Sequence, residues 1–207
     1  MTARGVGGGS DPYGTGARHY VGSTADLPPS EGIDRFVGLL PGRRVLEIGC
    51  GGGRDSRALL ARGLELVATD ASPAIAACAC NVIGQSVGVL DARDLSASSE
   101  FDGVWAAACL HHLPRADITV ALQGIRTALR PDGVAYLSFK SGTADEDGHD
   151  DQGRWFSYLD QDRARGLVAG VDELELVDVW SSRDTLGRTR DWTHALCRKT
   201  GVNISPL

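Results

Sequence analysis

The residues whose types and spacing suit chemistry lie between Glu47 and His112. Glu47, Gly49 and Gly51 form E-x-G-x-G, with Cys50 inside the pattern and Gly52, Gly53, Arg54 and Asp55 after it. Glycines gather where backbone must approach a ligand closely and a side chain would block it. Asp70 and Asp91 follow, each just after an apolar run. A carboxylate in the first position can accept hydrogen bonds from both hydroxyls of a ribose. An acid in the second can accept from the exocyclic amine of adenine, with backbone contacts from Ala92 and Arg93 beside it. His111 and His112 stand where a general base would serve. The competing reading makes one of them a buried, hydrogen-bonded histidine that shapes its loop. The loop departs from the dinucleotide fingerprint G-x-G-x-x-G, because Arg54 occupies the place of the third glycine.

These groups need rigid elements to carry them. Val45, Leu46 and Ile48 read as a buried strand, and Ala58, Leu59 and Leu60 give the next segment, 55–62, helical spacing up to Gly63. A second strand over 64–69 leaves Asp70 at its C-terminal end. Ser72-Pro73 opens a helix that runs to Ile83, with proline where a missing N–H costs least. Further strands are expected at 86–90, 101–106, 134–139, 173–180 and 192–198, and helices at 115–130 and 157–168. This alternation predicts an α/β fold: a doubly wound, mostly parallel seven-stranded sheet with helices on both faces, in a single domain. Ligands of such sheets bind at the C-terminal strand ends. Asp70, Asp91, His111, His112 and Lys140 all fall there.

Composition narrows the partners. The chain has 207 residues, 42% hydrophobic and 23% charged, enough for one substantial core. A formal net charge of −6 argues against broad attraction to nucleic acid or an anionic membrane surface. The five cysteines, an odd number lying mostly in apolar segments, read as free thiols of a reducing cytoplasm. No stretch approaches the ~18 apolar residues of a membrane span. The N-terminus lacks an apolar signal core, so a cytoplasmic protein, monomer or homodimer, is expected. Residues 1–10 read as a disordered tail and 11–42 as an arm and short helix. That arm is either a surface wrap or a lid over the ligand. The main domain is 43–199 and a flexible tail 200–207. The acidic loop 141–154 reads as a solvated insertion, in preference to a cation site built from Asp147, His149 and Asp151.

From Val45 to about Phe139 the pattern resembles the class I S-adenosylmethionine (SAM)-dependent methyltransferases, with S-adenosylhomocysteine as the product of the cofactor. The resemblance implies Glu47, Gly49, Cys50, Gly51 and Gly53 around the methionine part, with Arg54 and Asp55 near its carboxylate or amine. It implies Asp70, Ala71 and Ser72 at the ribose, Asp91, Ala92 and Arg93 at the adenine, and Ala106 near the sulfonium. GCGGGRDS, WAAACLHHLP, LRPDGVAYLSFKSG and GRWFSY are similar, more narrowly, to small bacterial tellurite-resistance methyltransferases. His19, Tyr20, Lys140, Trp155 and Tyr158 are then candidates for the acceptor pocket, and Trp105 for the core. The implied activity is transfer of a methyl group to O, N or S of a small molecule. A tRNA or protein acceptor, and a SAM-binding protein without catalysis, are the alternatives. A NAD-dependent oxidoreductase is disfavoured by the missing third glycine and by Asp91.

Overall fold

A computed structural model of the protein describes residues 13–184 and 190–201. The tail 1–10 and residues 202–207 lie outside the described residues. Seven strands form one sheet: β1 (Arg44–Ile48), β2 (Glu65–Asp70), β3 (Gly88–Val89), β4 (Phe101–Ala106), β5 (Leu129–Lys140), β6 (Leu174–Ser182) and β7 (Trp192–Lys199). Their spatial order is β3-β2-β1-β4-β5-β7-β6, with β7 antiparallel to β5 and to β6 and the other pairs parallel. The order reverses between β1 and β4. Connections there leave the sheet in opposite directions, and a crevice opens at the carboxyl ends of the strands.

Successive side chains of a strand face opposite sides, and here both sides are buried. Leu46, Ile48, Val104, Ala106, Leu137 and Phe139 pack on one face with Ile118, Leu122 and Ile125 of helix α5 (Arg115–Ala128). Val45, Trp105, Val134 and Tyr136 pack on the other with Phe36 of α2 (Ile33–Leu39) and Leu59 of α3 (Arg54–Ala61). Double burial explains the unbroken apolar runs of β1 and β4. The expected fold class stands, and Trp105 is fully buried in the core, its ring stacked 3.8 Å from Tyr136.

Helix α4 (Pro73–Ile83) starts as its sequence dictates. The Ser72 hydroxyl accepts from Ile75 N at 3.1 Å, and Pro73 occupies the first turn. Its last turn ends on Gly84 in the left-handed region. The arm contains α1 (Ala17–Thr24), whose Ala17 and Val21 bury against Ile75 of α4.

Two expectations are corrected. The helix read over 157–168 begins only at α6 (Gln161–Ala169), with the Asp160 carboxylate accepting from Arg163 N at 2.9 Å. Ahead of it the backbone bonds across the chain, Ser157 N to His111 O at 2.8 Å and Leu159 N to Lys140 O at 3.0 Å. Those long-range partners override helical spacing. The acidic loop, read as a solvated insertion, is a folded flap with a short ribbon of Gly148–His149 against Trp155–Phe156. Asp147 receives Arg115 at 2.7 Å and Tyr158 N at 2.8 Å, and Asp150 receives Arg154 at 2.6 Å. Among the described residues no cluster of three His, Cys, Asp or Glu could hold a metal ion. All five cysteines are free thiols. No helix of the described residues is long and apolar enough to cross a membrane.

Candidate functional site

The carboxyl end of β1 turns into the glycine loop, which is held from β2. Thr69 O accepts from Cys50 N at 2.9 Å, and Asp70 Oδ2 accepts from Gly51 N at 3.0 Å. Asp70 Oδ1 accepts from Ser72 N at 2.9 Å, so one carboxylate clasps two loops. Gly51 has φ +54°, and a Cβ there would meet only Tyr20, at 3.5 Å from Oη. The space above the loop is therefore open, with Tyr20 of α1 as its roof.

Two cavities flank this loop and share Tyr20, Gly49, Gly51 and Ala108. The larger, of about 560 Å³, holds Asp70, Ala71, Ser72, Asp91 and Ala92 on one side. Cys109, Leu110, His112 and Leu113 form its other side, and Gln152, Arg154 and Trp155 of the flap cover it. The smaller, of about 320 Å³, holds Glu47, Cys50, Gly52, Arg54 and Asp55. Leu27 to Glu31 of the arm close it, and Tyr136, Ser138, Ser182, Trp192 and His194 line its far wall. Both volumes suit small-molecule sites.

Charges in this cleft are tightly managed. Burial pushes the Glu47 carboxyl up to about 8, with the neighbouring charges of Asp55 and Asp70 adding to the effect and the Ser56 hydroxyl opposing it. Asp55 is 4% exposed and accepts from Ser30 N at 2.8 Å, Ser30 Oγ at 2.7 Å and Trp105 Nε1 at 3.2 Å. It thereby ties the arm to the core. Asp91 is held below the usual carboxylate range, chiefly by the Arg93 side chain, which donates through Nε at 2.9 Å and Nη2 at 2.6 Å. Arg93 N also donates to Asp91 Oδ1, at 3.0 Å. One lone-pair position of Oδ2 is left for a ligand.

The two adjacent histidines differ. His112 Nδ1 lies 3.0 Å from Trp155 O, a carbonyl that can only accept, so Nδ1 carries the proton and Nε2 bears the lone pair. Burial lowers its pKa. His111 is 3% exposed, stacks on Phe156 at 5.3 Å and lines neither cavity. Its Nδ1 has no hydrogen-bond partner, and burial holds the ring well below the ordinary histidine range.

Several residues expected at the site lie elsewhere. Gly53 sits under the loop, where a Cβ would come within 2.6 Å of Ile83 Cγ1, so it serves helix packing. Ala106 is wholly buried in the core, and Arg93 reaches the site only through Asp91. His19 is exposed on α1. Lys140 pairs with Asp184 at 2.6 Å beneath Trp192. Tyr158 packs against Phe156 and Arg190 outside both cavities. Sequence reasoning missed Tyr136, Ser138, Ser182 and His194. A signal existed in β5, where Tyr136, Ser138 and Lys140 alternate with Leu137 and Phe139 and so put polar groups on one face.

With this geometry in view, comparison with known proteins is informative. Residues 45–133 match the family model of a methyltransferase domain. A ubiquinone biosynthesis O-methyltransferase of Xanthomonas campestris pv. campestris is 34% identical over 106 residues, 48% of this chain and 44% of that protein. The chain thus spans less than half of that relative. The structure of 1,6-didemethyltoxoflavin-N1-methyltransferase from Burkholderia thailandensis superposes with a TM-score of 0.69 at 22% identity, over 91% of this chain and 84% of that one. The N-methyltransferase NodS of Bradyrhizobium japonicum, solved with S-adenosyl-L-homocysteine, gives a TM-score of 0.65 at 18% identity, over 93% of this chain and 100% of that one. The narrower likeness to tellurite-resistance enzymes rests only on the motifs quoted for it. Residues 45–133 are thus similar to a methyltransferase domain, and the fold around them is the one seen in methyltransferases of known structure.

Proposed function

We propose that this protein transfers the methyl group of SAM to a small-molecule acceptor by in-line displacement. The observation that supports this best is the divided cleft at the glycine loop, with nucleoside-type acids on one side and a compact cavity beneath the arm on the other. SAM supplies a methyl group already activated on a sulfonium. In this reading Asp70 takes the ribose hydroxyls, with Ala71 and Ser72 beside it. Asp91 uses its remaining lone pair on the adenine amine next to Ala92. Glu47, Gly49, Cys50, Gly51 and Arg54 surround the amino-acid end. Asp55 acts one step removed, by fixing Ser30 and Trp105. His112 offers Nε2 in the adenosine cavity, and His111 supports it from below.

The chain's remaining contribution is to position the acceptor and exclude water, which can supply much of the acceleration of such a displacement. Residues 27–31 of the arm and Trp192 close the smaller cavity, consistent with a lid. Its size, and the small molecules named in the Xanthomonas and Burkholderia relatives, favour a small acceptor over tRNA or protein. The test is to incubate the protein with SAM and panels of alcohols, phenols, amines and thiols, bulk tRNA, or unfolded protein. S-adenosylhomocysteine formation is then followed by mass spectrometry. Turnover confined to small molecules is expected. Turnover only on tRNA or protein would replace the small-acceptor reading.

A further inference from the structure

Three side chains of the smaller cavity are unused so far. His194 of β7 bridges two hydroxyls, with Nδ1 2.7 Å from Tyr136 Oη and Nε2 2.8 Å from Ser182 Oγ. Glu31 Oε1 lies 3.7 Å from the same Nε2 and is fixed by Trp180 Nε1 at 2.8 Å, while the Trp180 ring stacks on His194 at 5.0 Å. Tyr136 and His194 are buried, Ser182 is half-buried, and all three line the cavity that also contains the glycine loop. When Nδ1–H donates to Tyr136, Nε2 accepts from the Ser182 hydroxyl. The chain then has its open end, Ser182 Oγ, at the cavity.

We propose that Ser182, His194 and Tyr136 form a proton-accepting chain for the methyl acceptor, which identifies that acceptor as a small alcohol or phenol. The inference rests on the methyltransferase reading above and deepens it. As the acceptor oxygen gains the methyl carbon, its O–H bond breaks and the proton passes to Ser182 Oγ. The serine's own proton passes to His194 Nε2, and the S–C electron pair stays on the donor sulfur. The resulting imidazolium is paired by Glu31 and steadied by Tyr136 at Nδ1. Ser182 touches the acceptor, and His194 and Tyr136 are positioning residues.

Protonation supports the geometry. Burial pushes His194 down to about 4, with Glu31 opposing and Arg35 of α2 adding to the effect. Glu31 of the arm, Arg35 of α2 and Tyr136 of β5 are the charged and titratable groups that face it. A neutral imidazole, protonated at Nδ1 alone, can take a proton at Nε2. A hydroxyl becomes strongly acidic as it is methylated, so a weak base is sufficient.

The test uses the full chain saturated with S-adenosylhomocysteine and two probes, phenol and its methyl ether anisole, titrated by calorimetry or NMR. Phenol should bind about tenfold tighter, the scale of one added hydrogen bond. Ser182→Ala and His194→Phe should each reduce that preference below about twofold while anisole affinity holds, a readout that a purely structural role would not move. If His194→Phe does not fold, Ser182→Ala at the half-buried strand end decides alone. Equal binding of the probes, binding of neither, or a preference that survives the substitutions would overturn the proposal. Failure of S-adenosylhomocysteine to bind at the outset would instead overturn the methyltransferase reading on which it rests.

Discussion

Glu47→Gln is the most quantitative perturbation that the structure offers. Glu47 is 2% exposed on β1, and burial, reinforced by Asp55 and Asp70, raises its carboxyl from 4.5 to about 8. A raised carboxyl means that the folded protein keeps a proton the unfolded chain has released. Stability is therefore full below pH 4.5 and declines as pH rises through 8. At 1.36 kcal/mol per tenfold change, the decline is about 5 kcal/mol across that window and roughly 3 kcal/mol by pH 7. Glutamine cannot ionise, so Glu47→Gln should match the wild type near pH 4.5 and exceed it by several kcal/mol at pH 8. Titrating groups remote from Glu47 cancel in the difference between the two proteins. Urea midpoints at pH 5 and pH 8, read by tryptophan fluorescence, measure it. A stability difference that does not grow with pH would refute the reasoning. A cation bound beside Glu47 should also draw out its proton. SAM binding near pH 7 should then release protons in the wild type and not in the variant, as shown by calorimetry in two buffers of different ionisation heat.

Gly51→Val places a β-branched residue at φ +54° facing Tyr20. It should lower stability by about 1–3 kcal/mol, leave the protein folded, and abolish S-adenosylhomocysteine binding, as checked by circular dichroism and calorimetry. Normal affinity would mean that the loop does not hold the ligand. Asp55→Ala leaves Ser30 N, Ser30 Oγ and Trp105 Nε1 without their acceptor. It should cost about 2–4 kcal/mol and speed proteolysis between residues 27 and 31, and an unchanged cleavage rate there would count against the clasp. Acidification should destabilise the protein through His194. A histidine depressed to about 4 contributes stability present above pH 6.5 that is lost as pH falls through 4, about 3 kcal/mol in all, and the stability difference between the wild type and His194→Phe across an acid series reads it.

What the sequence disclosed and what it hid have physical reasons. The sheet was legible because β1 and β4 are buried on both faces and so are written as unbroken apolar runs. Asp70 and Asp91 were legible because their places follow from local order alone, a strand end and the next turn. Features that depend on contacts far apart in sequence were not. Ser157 and Leu159 bond to His111 and Lys140, which no helical spacing reveals. The arm's α1 buries only Ala17 and Val21, too small a stripe to announce a helix. His111 and His112 read alike in sequence, and only packing on Phe156 and the Trp155 carbonyl tells them apart. His194 sits in a final strand antiparallel to β5, and its register against Ser138 and Tyr136 became visible only once the sheet was closed.

The central claim is that the cleft at the glycine loop binds SAM through Asp70. Calorimetric titration of the wild type and Asp70→Ala with SAM, S-adenosylhomocysteine and NAD tests it most directly. Micromolar binding of the first two, no heat with NAD, and a loss of about a hundredfold in the variant, ~3 kcal/mol, are predicted. Binding of NAD in their place, or unchanged SAM affinity in Asp70→Ala, would contradict the account.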